Sequence, residues 1–234
     1  MPRLVTFDVT NTLLRLRVSP GTHYAAVAAE HGLHLSAAEA DCAFRRHFGA
    51  LNVEWPNFGR GLAGGWRVWW STLVERVVAD AVVGPPPTAA AGAPLADRLL
   101  RDYAGAACWR AADGAAPLLA SLRRRGRRLG VVSNFDPRLH VLLDQLRLRE
   151  YFDFVIAAHE HPFCKPDGRI FELARRTAGD VEHCTHVGDS VEMDYRAARA
   201  AGWRALLVGG PYQEKDVDVA HVCPRLEDLE HYLD

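Results

Sequence analysis

The fold of this chain can be read outward from one N-terminal stretch, Leu4-Val5-Thr6-Phe7-Asp8-Val9-Thr10-Asn11-Thr12-Leu13-Leu14. Its first four residues are apolar or β-branched, as in a buried strand, and the small polar residues that follow are typical of a tight loop. The pattern therefore places Asp8 at the carboxyl end of a strand. Ligands of open α/β sheets bind just beyond such strand ends, which makes Asp8 a candidate reacting carboxylate. An Asp after a strand also commonly forms a turn or caps a helix, and this stretch alone leaves both interpretations open.

Length and composition indicate a globular protein with a small-molecule partner. The 234 residues are 49% hydrophobic, which is enough for one large domain or for a core with an insert. A net charge of -1 gives no general attraction for nucleic acid or for an anionic membrane surface. The sequence has no apolar run of membrane-spanning length, no signal-peptide pattern and no Cys-x-x-Cys pair among its five cysteines. We therefore expect a cytoplasmic protein with reduced thiols, and its oligomeric state stays open.

A helical hydrophobic pattern follows the opening stretch and continues for roughly ninety residues. Apolar residues recur every three or four positions in the segments 22–32, 36–51, 65–81 and 95–106. Ser36 begins a capping box, which supports a helix start there, and the Ala/Pro-rich residues 84–94 are typical of a loop. We expect an insert of four helices over residues 17–107, within a core domain formed by residues 1–16 and 108–234.

Strand and helix patterns alternate from residue 113 onward. The predicted strands are 129–133, 152–157, 184–187 and 205–208, the predicted helices are 113–125, 137–146, 167–177 and 190–201, and a weak strand near 219–222 and a short helix from 226 follow. Repeated strand–helix units with continuously apolar strands imply a parallel sheet that helices cover on both faces. The sequence therefore predicts an α/β fold.

Three later segments place polar residues where a predicted strand ends or a predicted helix begins. These residues are Ser133 with Asn134, Lys165, and Asp189 with Asp194 five positions later. In a parallel sheet the carboxyl ends of the strands lie at one edge, so these side chains would converge on Asp8. Each residue also has an ordinary structural role, in a turn, as a solvated cation or in the first turn of a helix. Their order and placement together favour a functional site.

The converging residues are suited to phosphoryl transfer. Asp8 and Asp189 offer hard oxygen ligands for Mg²⁺, which prefers a few carboxylates, waters and a substrate phosphate. Lys165 supplies a fixed positive charge, and Ser133 with nearby backbone amides supplies donors to phosphate oxygens. One carboxylate can attack phosphorus in line while the cation and the lysine offset the charge on the transferred group. The expected substrate is a small phosphorylated molecule.

Four motifs, in their order along the chain, resemble those of the haloacid dehalogenase superfamily of hydrolases. They are Asp8-Val9-Thr10-Asn11-Thr12, Val131-Val132-Ser133-Asn134, Lys165-Pro166 and Gly188-Asp189-Ser190-Val191-Glu192-Met193-Asp194. The resemblance implies a Rossmann-like parallel-sheet core, a four-helix cap domain inserted after the first strand, and bound magnesium. It also implies these roles: Asp8 as nucleophile and metal ligand, the Thr10 backbone carbonyl and Asp189 as further ligands, and Ser133, Asn134 and Lys165 as phosphoryl-binding groups. Asp194 would orient Lys165 or water without binding the metal directly.

Thr10 departs from the pattern of the phosphatases in this superfamily. Those enzymes usually carry an Asp at this position, which protonates the leaving oxygen and then activates water. Because such acid–base help is typically worth ~10²–10⁴-fold, its absence predicts a slow phosphomonoesterase or a different reaction. Asn11 stands where a glycine is usual, and Asn tolerates left-handed backbone geometry better than most residues.

Two other functions stay open. Haloacid dehalogenases also lack the second Asp, but they work without magnesium and generally lack the Gly-Asp that is intact at Gly188-Asp189. A catalytically weakened binding protein that keeps the fold and the ion is the alternative that Thr10 motivates. A phosphonatase is set aside, because those relatives use a cap lysine and residues 17–107 contain no lysine.

The inserted helices are expected to close over the site and to select the substrate. Arg60 lies in a Gly-rich segment and could meet an anionic substrate tail, although a solvated arginine is the commoner case. Trp66, Trp69 and Trp70 fall at helical spacing, which favours packing in a core. The sequence does not identify the substrate.

Overall fold

The computed structural model describes residues 3–84 and 89–233. The chain divides into two compact units, one formed by Met1–Arg15 with Arg110–Asp234 and the other by Leu16–Trp109. We call the first the core unit and the second the helical unit. Within the described residues, no helix combines the length and the apolar character needed to cross a bilayer.

The core unit is built on a parallel sheet. The strands of the chain are β1 (Arg3–Phe7), β2 (Leu14–Leu16), β3 (Trp109–Ala111), β4 (Arg128–Ser133), β5 (Phe154–Ala157), β6 (His183–Gly188), β7 (Arg204–Val208) and β8 (Val222–Cys223). Six of them form one sheet in the order β5-β4-β1-β6-β7-β8, and all neighbours in it are parallel. Since β1 lies between β4 and β6, the polar residues that follow these three strands lie side by side. The predicted parallel α/β fold is confirmed.

A second sheet joins β2 and β3, and the sequence analysis did not predict it. Both strands have three residues, which is too short for an alternating pattern to stand out from the neighbouring loops.

Nine α-helical segments are found in the described residues. They are α1 (Pro20–Glu30), α2 (Ala37–Glu54), α3 (Pro56–Gly59), α4 (Gly65–Ala81), α5 (Ala89–Asp102), α6 (Ala115–Arg124), α7 (Arg138–Gln145), α8 (Arg169–Thr177) and α9 (Ala197–Ala200). The segment α3 is a single turn whose Asn57 and Phe58 have left-handed dihedral angles. Ser36 caps α2 by accepting a hydrogen bond from the backbone N–H of Glu39, as its sequence pattern predicts.

The interior of the helical unit is apolar and aromatic. Trp69 on α4 is fully buried, and its ring packs edge-on against Phe48 and Phe58. The indole Nε1–H of Trp69 donates to the backbone carbonyl oxygens of Leu51 and Trp55, at 3.3 and 3.1 Å. Trp66 and Trp70 are half-buried and pack against the same core, so the structure agrees with the interpretation of Trp69 as a core residue and places the other two at the margin of the core.

Most predicted elements agree with the structure to within a few residues, and four differ in extent or type. The short helix expected from residue 226 is a 3₁₀ segment, Leu226–Tyr232. The helix expected to begin at Leu95 begins at Ala89, because alanine has the highest helix propensity and extends α5 into the expected loop. The helix expected over 190–201 begins as a π-helix, Val191–Arg196, and only then becomes α9. The weak strand near 219–222 is a 3₁₀ turn, Val219–His221, followed by the two-residue strand β8.

Candidate active site

Asp8 directly follows β1, at the carboxyl edge of the sheet. Its backbone N–H donates to the carbonyl oxygen of Val187 on β6 at 2.8 Å, so the residue is held against the neighbouring strand. The chain then turns tightly, because the N–H groups of Leu13 and Leu14 both donate to the carbonyl oxygen of Val9. Asn11 takes φ 58° in this turn, which is the left-handed geometry that asparagine tolerates. The Asp8 side chain is buried, with 7% of the residue exposed.

Lys165 connects Asp8 with Asp194. Its ammonium group donates to Oδ1 of Asp8 at 2.7 Å and to Oδ1 of Asp194 at 2.6 Å, and the residue is only 2% exposed. Asn134, at the end of β4, holds the lysine backbone from both sides. Its Nδ2 donates to the Lys165 carbonyl oxygen, and its Oδ1 accepts from the Lys165 N–H, both at 2.8 Å. The ammonium group is therefore fixed by its own backbone as well as by two carboxylates.

Asp194 lies in the π-helix that follows β6 and accepts hydrogen bonds at both oxygens. Its Oδ1 accepts from Lys165 and from His186 Nε2 at 3.0 Å, and its Oδ2 accepts from the backbone N–H of Ser190 at 2.9 Å. Gly188 makes this approach sterically feasible, because a Cβ at that position would lie 2.1 Å from the Asp194 carboxyl carbon. The glycine of the Gly-Asp pair is therefore required for the close packing of Asp194.

Asp8, Asp189 and Asp194 form an acidic cluster. One carboxylate oxygen of each lies within 4.8 Å of the others, close enough for a single cation to contact more than one of them. Up to three negative charges face the single ammonium charge of Lys165, so a divalent cation would restore approximate neutrality. Because both oxygens of Asp194 already accept hydrogen bonds, Asp8 and Asp189 are the better placed direct ligands. The donor set therefore fits a hard divalent cation.

Burial and mutual repulsion disturb the ionisation of these groups. Burial, with repulsion from Asp8 and Asp194, raises the pKa of Asp189 to about 6, although a hydrogen bond from the Asn11 side chain opposes the shift. Burial also raises the pKa of Asp8, against the opposing attraction of Lys165. The raised carboxyl pKa values indicate negative charge that the protein alone does not fully compensate, and a bound cation would stabilise the ionised forms.

Lys165 and Asp194 are ionised partners. Burial alone would lower the pKa of Lys165, but the charges of Asp194 and Asp8 outweigh it and raise that pKa. Burial likewise opposes ionisation of Asp194, yet Lys165 and His186 bring the Asp194 pKa well below its usual value. Each group is thus held in its charged form by the other.

His186 and Thr6 extend this network into the sheet, and the sequence analysis missed both. His186 is fully buried, and burial lowers its pKa, so the ring is neutral. Because the Asp194 carboxylate can only accept, His186 Nε2 carries the proton, and Nδ1 then accepts from the Thr6 hydroxyl at 2.8 Å. A histidine inside a predicted strand, two residues before the Gly-Asp pair, was the available signal.

The remaining predicted site residues lie at the following positions. Ser133 is buried at the end of β4, the strand next to β1. Thr10 is half-buried in the turn after Asp8, where its backbone pairs with Leu14. Arg60 is exposed at the end of α3 in the helical unit. The roles predicted for these three residues stay predictions.

The chain belongs to the haloacid dehalogenase-like hydrolase family, whose model matches residues 2–202. Among curated proteins it is 39% identical over 239 residues to haloacid dehalogenase-like hydrolase domain-containing protein 3 of Bos taurus. That alignment covers 99% of this chain and 94% of the relative. The superfamily resemblance drawn from the four sequence motifs is confirmed.

Solved structures share the fold at low identity. A phosphatase of this superfamily from Thermococcus onnurineus has a TM-score of 0.63 and 21% identity, and the match covers 100% of this chain and 98% of that one. A 2-haloacid dehalogenase from Pseudomonas syringae pv. Tomato has a TM-score of 0.68 and 23% identity, with the same coverage. Structural likeness to both kinds of enzyme leaves the choice of reaction to the chemistry of the site.

Proposed function

We propose that this hydrolase is a magnesium-dependent phosphatase of a small phosphorylated metabolite, with Asp8 as its nucleophile. The observation that carries the proposal is the acidic cluster, with carboxylate oxygens of Asp8, Asp189 and Asp194 within 4.8 Å of one another. Phosphoryl transfer through an aspartyl-phosphate needs a carboxylate nucleophile, which a neighbouring divalent cation assists, and this cluster offers both a carboxylate and a fitting donor set.

Asp8 attacks phosphorus in line with the leaving oxygen and forms an aspartyl-phosphate. The P–O bond to the leaving group breaks, and the product oxygen takes a proton from solvent, because Thr10 cannot donate one as a carboxylic acid can. Water then attacks the aspartyl-phosphate, releases inorganic phosphate and restores Asp8. Lys165 keeps Asp8 aimed at the substrate, and its positive charge stabilises the negative charge of the transferred group.

A magnesium ion at Asp8, Asp189 and the Thr10 backbone carbonyl would supply further positive charge to the phosphoryl oxygens. Asp194 does not need to be a ligand, since its hydrogen bonds to Lys165, His186 and Ser190 give it a positioning role. The raised pKa of Asp189 supports a cation at this position.

Ser133 and Asn134 are proposed to hold the phosphoryl oxygens. The Asn134 amide already bonds the Lys165 backbone at both of its polar atoms, so its second Nδ2 hydrogen is the donor left for substrate. Residues 17–107, which lie within the helical unit, are proposed to act as the cap, with Arg60 as a contact to an anionic substrate. No residue of the cap is required for the chemical step.

The test measures phosphate release from a panel of phosphorylated metabolites, with magnesium and with a chelator. We expect slow, magnesium-dependent release by the natural protein and a loss of at least about 10³-fold in Asp8→Asn. Asp144→Asn is the matched control, because Asp144 is an exposed carboxylate of the same unit. Magnesium-independent halide release from haloacids, without phosphate release, would overturn the proposal.

A second candidate is a catalytically weakened protein that binds a phosphorylated ligand and the cation. Thr10 favours it, because the residue that speeds both steps in related phosphatases is a carboxylic acid. Robust turnover by the natural protein would exclude this candidate. A failure of Thr10→Asp to raise turnover would favour it.

A further inference from the structure

A cavity of about 310 Å³ opens beyond the carboxyl ends of β7 and β8. Its lining includes the arginines Arg15, Arg110 and Arg225 and the acidic residues Asp113 and Glu227. Asp113 pairs with Arg110 at 3.0 Å and Glu227 pairs with Arg225 at 3.1 Å, so two of the three arginines already have a carboxylate partner. All its lining residues belong to the core unit. We call it the arginine pocket.

The arginine pocket lies one strand away from the acidic cluster. Gly188 on β6 pairs with Leu207 on β7. The next residue of each strand, Asp189 and the pocket residue Val208, therefore occupy corresponding positions at the carboxyl ends of adjacent strands. Adjacent strands are only about 4.8 Å apart. The Tyr212 hydroxyl also lies 2.9 Å from the Asp189 carbonyl oxygen and 2.8 Å from that of Val208, which holds the two strand ends together.

Among the pocket arginines, Arg15 has most of its guanidinium N–H donors unused. It is half-buried, and its only hydrogen bond among the described residues goes from NH1 to the Leu14 carbonyl oxygen at 3.3 Å. No carboxylate of the described chain forms a salt bridge with it, whereas Arg110 pairs with Asp113 at 3.0 Å. Burial lowers the pKa of Arg15 and nearby Arg110 lowers it further, while Asp189 opposes both. A partly desolvated guanidinium that forms no salt bridge of its own is suited to bind an anion in a bidentate manner.

Another arginine-lined cavity of about 310 Å³ lies at the opposite edge of the sheet and has a different setting. It is lined by Arg3, Arg127 and Arg204, with His183 at the start of β6. Since these residues lie at the amino ends of the strands, an anion there would be separated from Asp189 by the length of the sheet. This second cavity therefore provides matched control residues.

We propose that the arginine pocket binds a second anionic group of the substrate, so that the substrate is a bisphosphate or a phosphorylated carboxylic acid. The inference rests on the proposed function, in which the first phosphoryl group lies at Asp8. Arg15 would contact the distal anion directly, and Arg110 would add positive charge. Selection between substrates would then depend on the distance between their two anionic groups.

Binding of non-hydrolysable probes tests the pocket without any need for turnover. Alkane bisphosphonates of increasing chain length would be compared, by calorimetry in the presence of magnesium, with alkyl monophosphonates of the same length. We expect one chain length at which the bisphosphonate binds about 10- to 100-fold more tightly, as a charge-assisted guanidinium contact would give. Arg15→Gln should remove this preference and leave monophosphonate affinity within about twofold, and the exposed Arg110→Gln should reduce it.

Arg204→Gln, in the cavity at the opposite edge, should keep the full preference. Equal affinity for both probe series, an unchanged preference in Arg15→Gln, or an equal loss in Arg204→Gln would overturn the inference. Two bound monophosphonates with no gain for any bisphosphonate would assign the pocket to a free anion and overturn it as well. Phosphate release from the metabolite panel decides the proposed function separately, so the two failures are distinguishable.

Discussion

The core unit and the helical unit differ in what they bury. The buried polar or charged side chains of the described residues are Thr6, Asp8, Thr12, Ser133, Asp136, Arg138, Lys165, His186 and Asp194, and all of them belong to the core unit. The described interior of the helical unit is apolar and aromatic around Trp69. Both units gain stability from packing, but only the core unit also bears the desolvation of several charges.

This difference indicates that the candidate active site lies in the core unit. Taking a charge out of water costs several kcal/mol, and a partner offsets that cost only when the geometry is good. The short contacts from Lys165 to Asp8 and Asp194 meet that condition. Hydrophobic residues could fill the same space without this cost. The presence of buried charges at the strand ends therefore indicates a chemical role rather than a packing role. The described interior of the helical unit is apolar and aromatic, so packing alone explains its residues.

Removing the buried ammonium group should have the largest effect. Lys165→Met leaves Asp8 and Asp194 buried without their cation, so we expect the free energy of unfolding to fall by about 3–5 kcal/mol. Urea titration measures the loss, and phosphate release should disappear in the same variant. The control is Lys215→Met, which changes the only other lysine, an exposed one, and should cost less than about 0.5 kcal/mol. Equal stability of the two variants would contradict the charge network.

The helical unit should show a comparable loss of stability from a purely apolar change. Trp69→Ala removes a fully buried ring and is expected to cost about 3–5 kcal/mol in urea unfolding. Magnesium affinity, measured by calorimetry below the unfolding transition, should stay unchanged. A weakened magnesium affinity in the folded variant would show that the two interiors are not independent.

Introducing a carboxylic acid at residue 10 should raise the turnover of the core-unit site. Thr10→Asp supplies the missing proton donor and base, and turnover should rise by about 10²-fold, the lower end of acid–base help. Thr10→Asn is the control, since it has nearly the same shape as Asp but cannot act as a carboxylic acid. A gain in both variants, or in neither, would show that proton transfer does not limit the reaction.

The smallest effect concerns pH. Protons and magnesium compete for Asp189, whose pKa burial and two neighbouring carboxylates raise to about 6. Magnesium affinity should therefore be nearly constant above that pH and fall by about tenfold for each pH unit below it. Calorimetry on Asp189→Asn should give weak binding with a shallower pH dependence. Constant affinity of the natural protein from about pH 7 to about pH 5 would contradict the assignment.

The sequence predicted the parallel sheet and the placement of Asp8, Lys165, Asp189 and Asp194 at its carboxyl edge. Continuous apolar strands identify a buried parallel sheet, and that topology brings residues distant in sequence to one edge. Hydrophobic periodicity also predicted α2 and α4, whose apolar residues recur over 18 and 17 residues.

The missed features depend on contacts rather than on patterns. Nothing in the local sequence of His186 states that its ring meets Asp194 and Thr6, because those contacts require the register of β1 beside β6. The close approach of Asp194 to Gly188 likewise joins two elements, β6 and the π-helix that follows it, and no local pattern states it. The arginine pocket gathers residues from three separate stretches, 15, 110–113 and 208–227, which no local pattern connects.

The most direct test of the central claim is to trap the phosphorylated enzyme. A substrate from the panel would be mixed with the protein and magnesium, quenched rapidly in acid, and digested for peptide mass analysis. Because Thr10 cannot assist the second step, we expect the aspartyl-phosphate to accumulate on Asp8, and to be absent in Asp8→Asn and in the chelated sample. Release of phosphate with no phosphoryl group on Asp8 at any quench time would contradict the account.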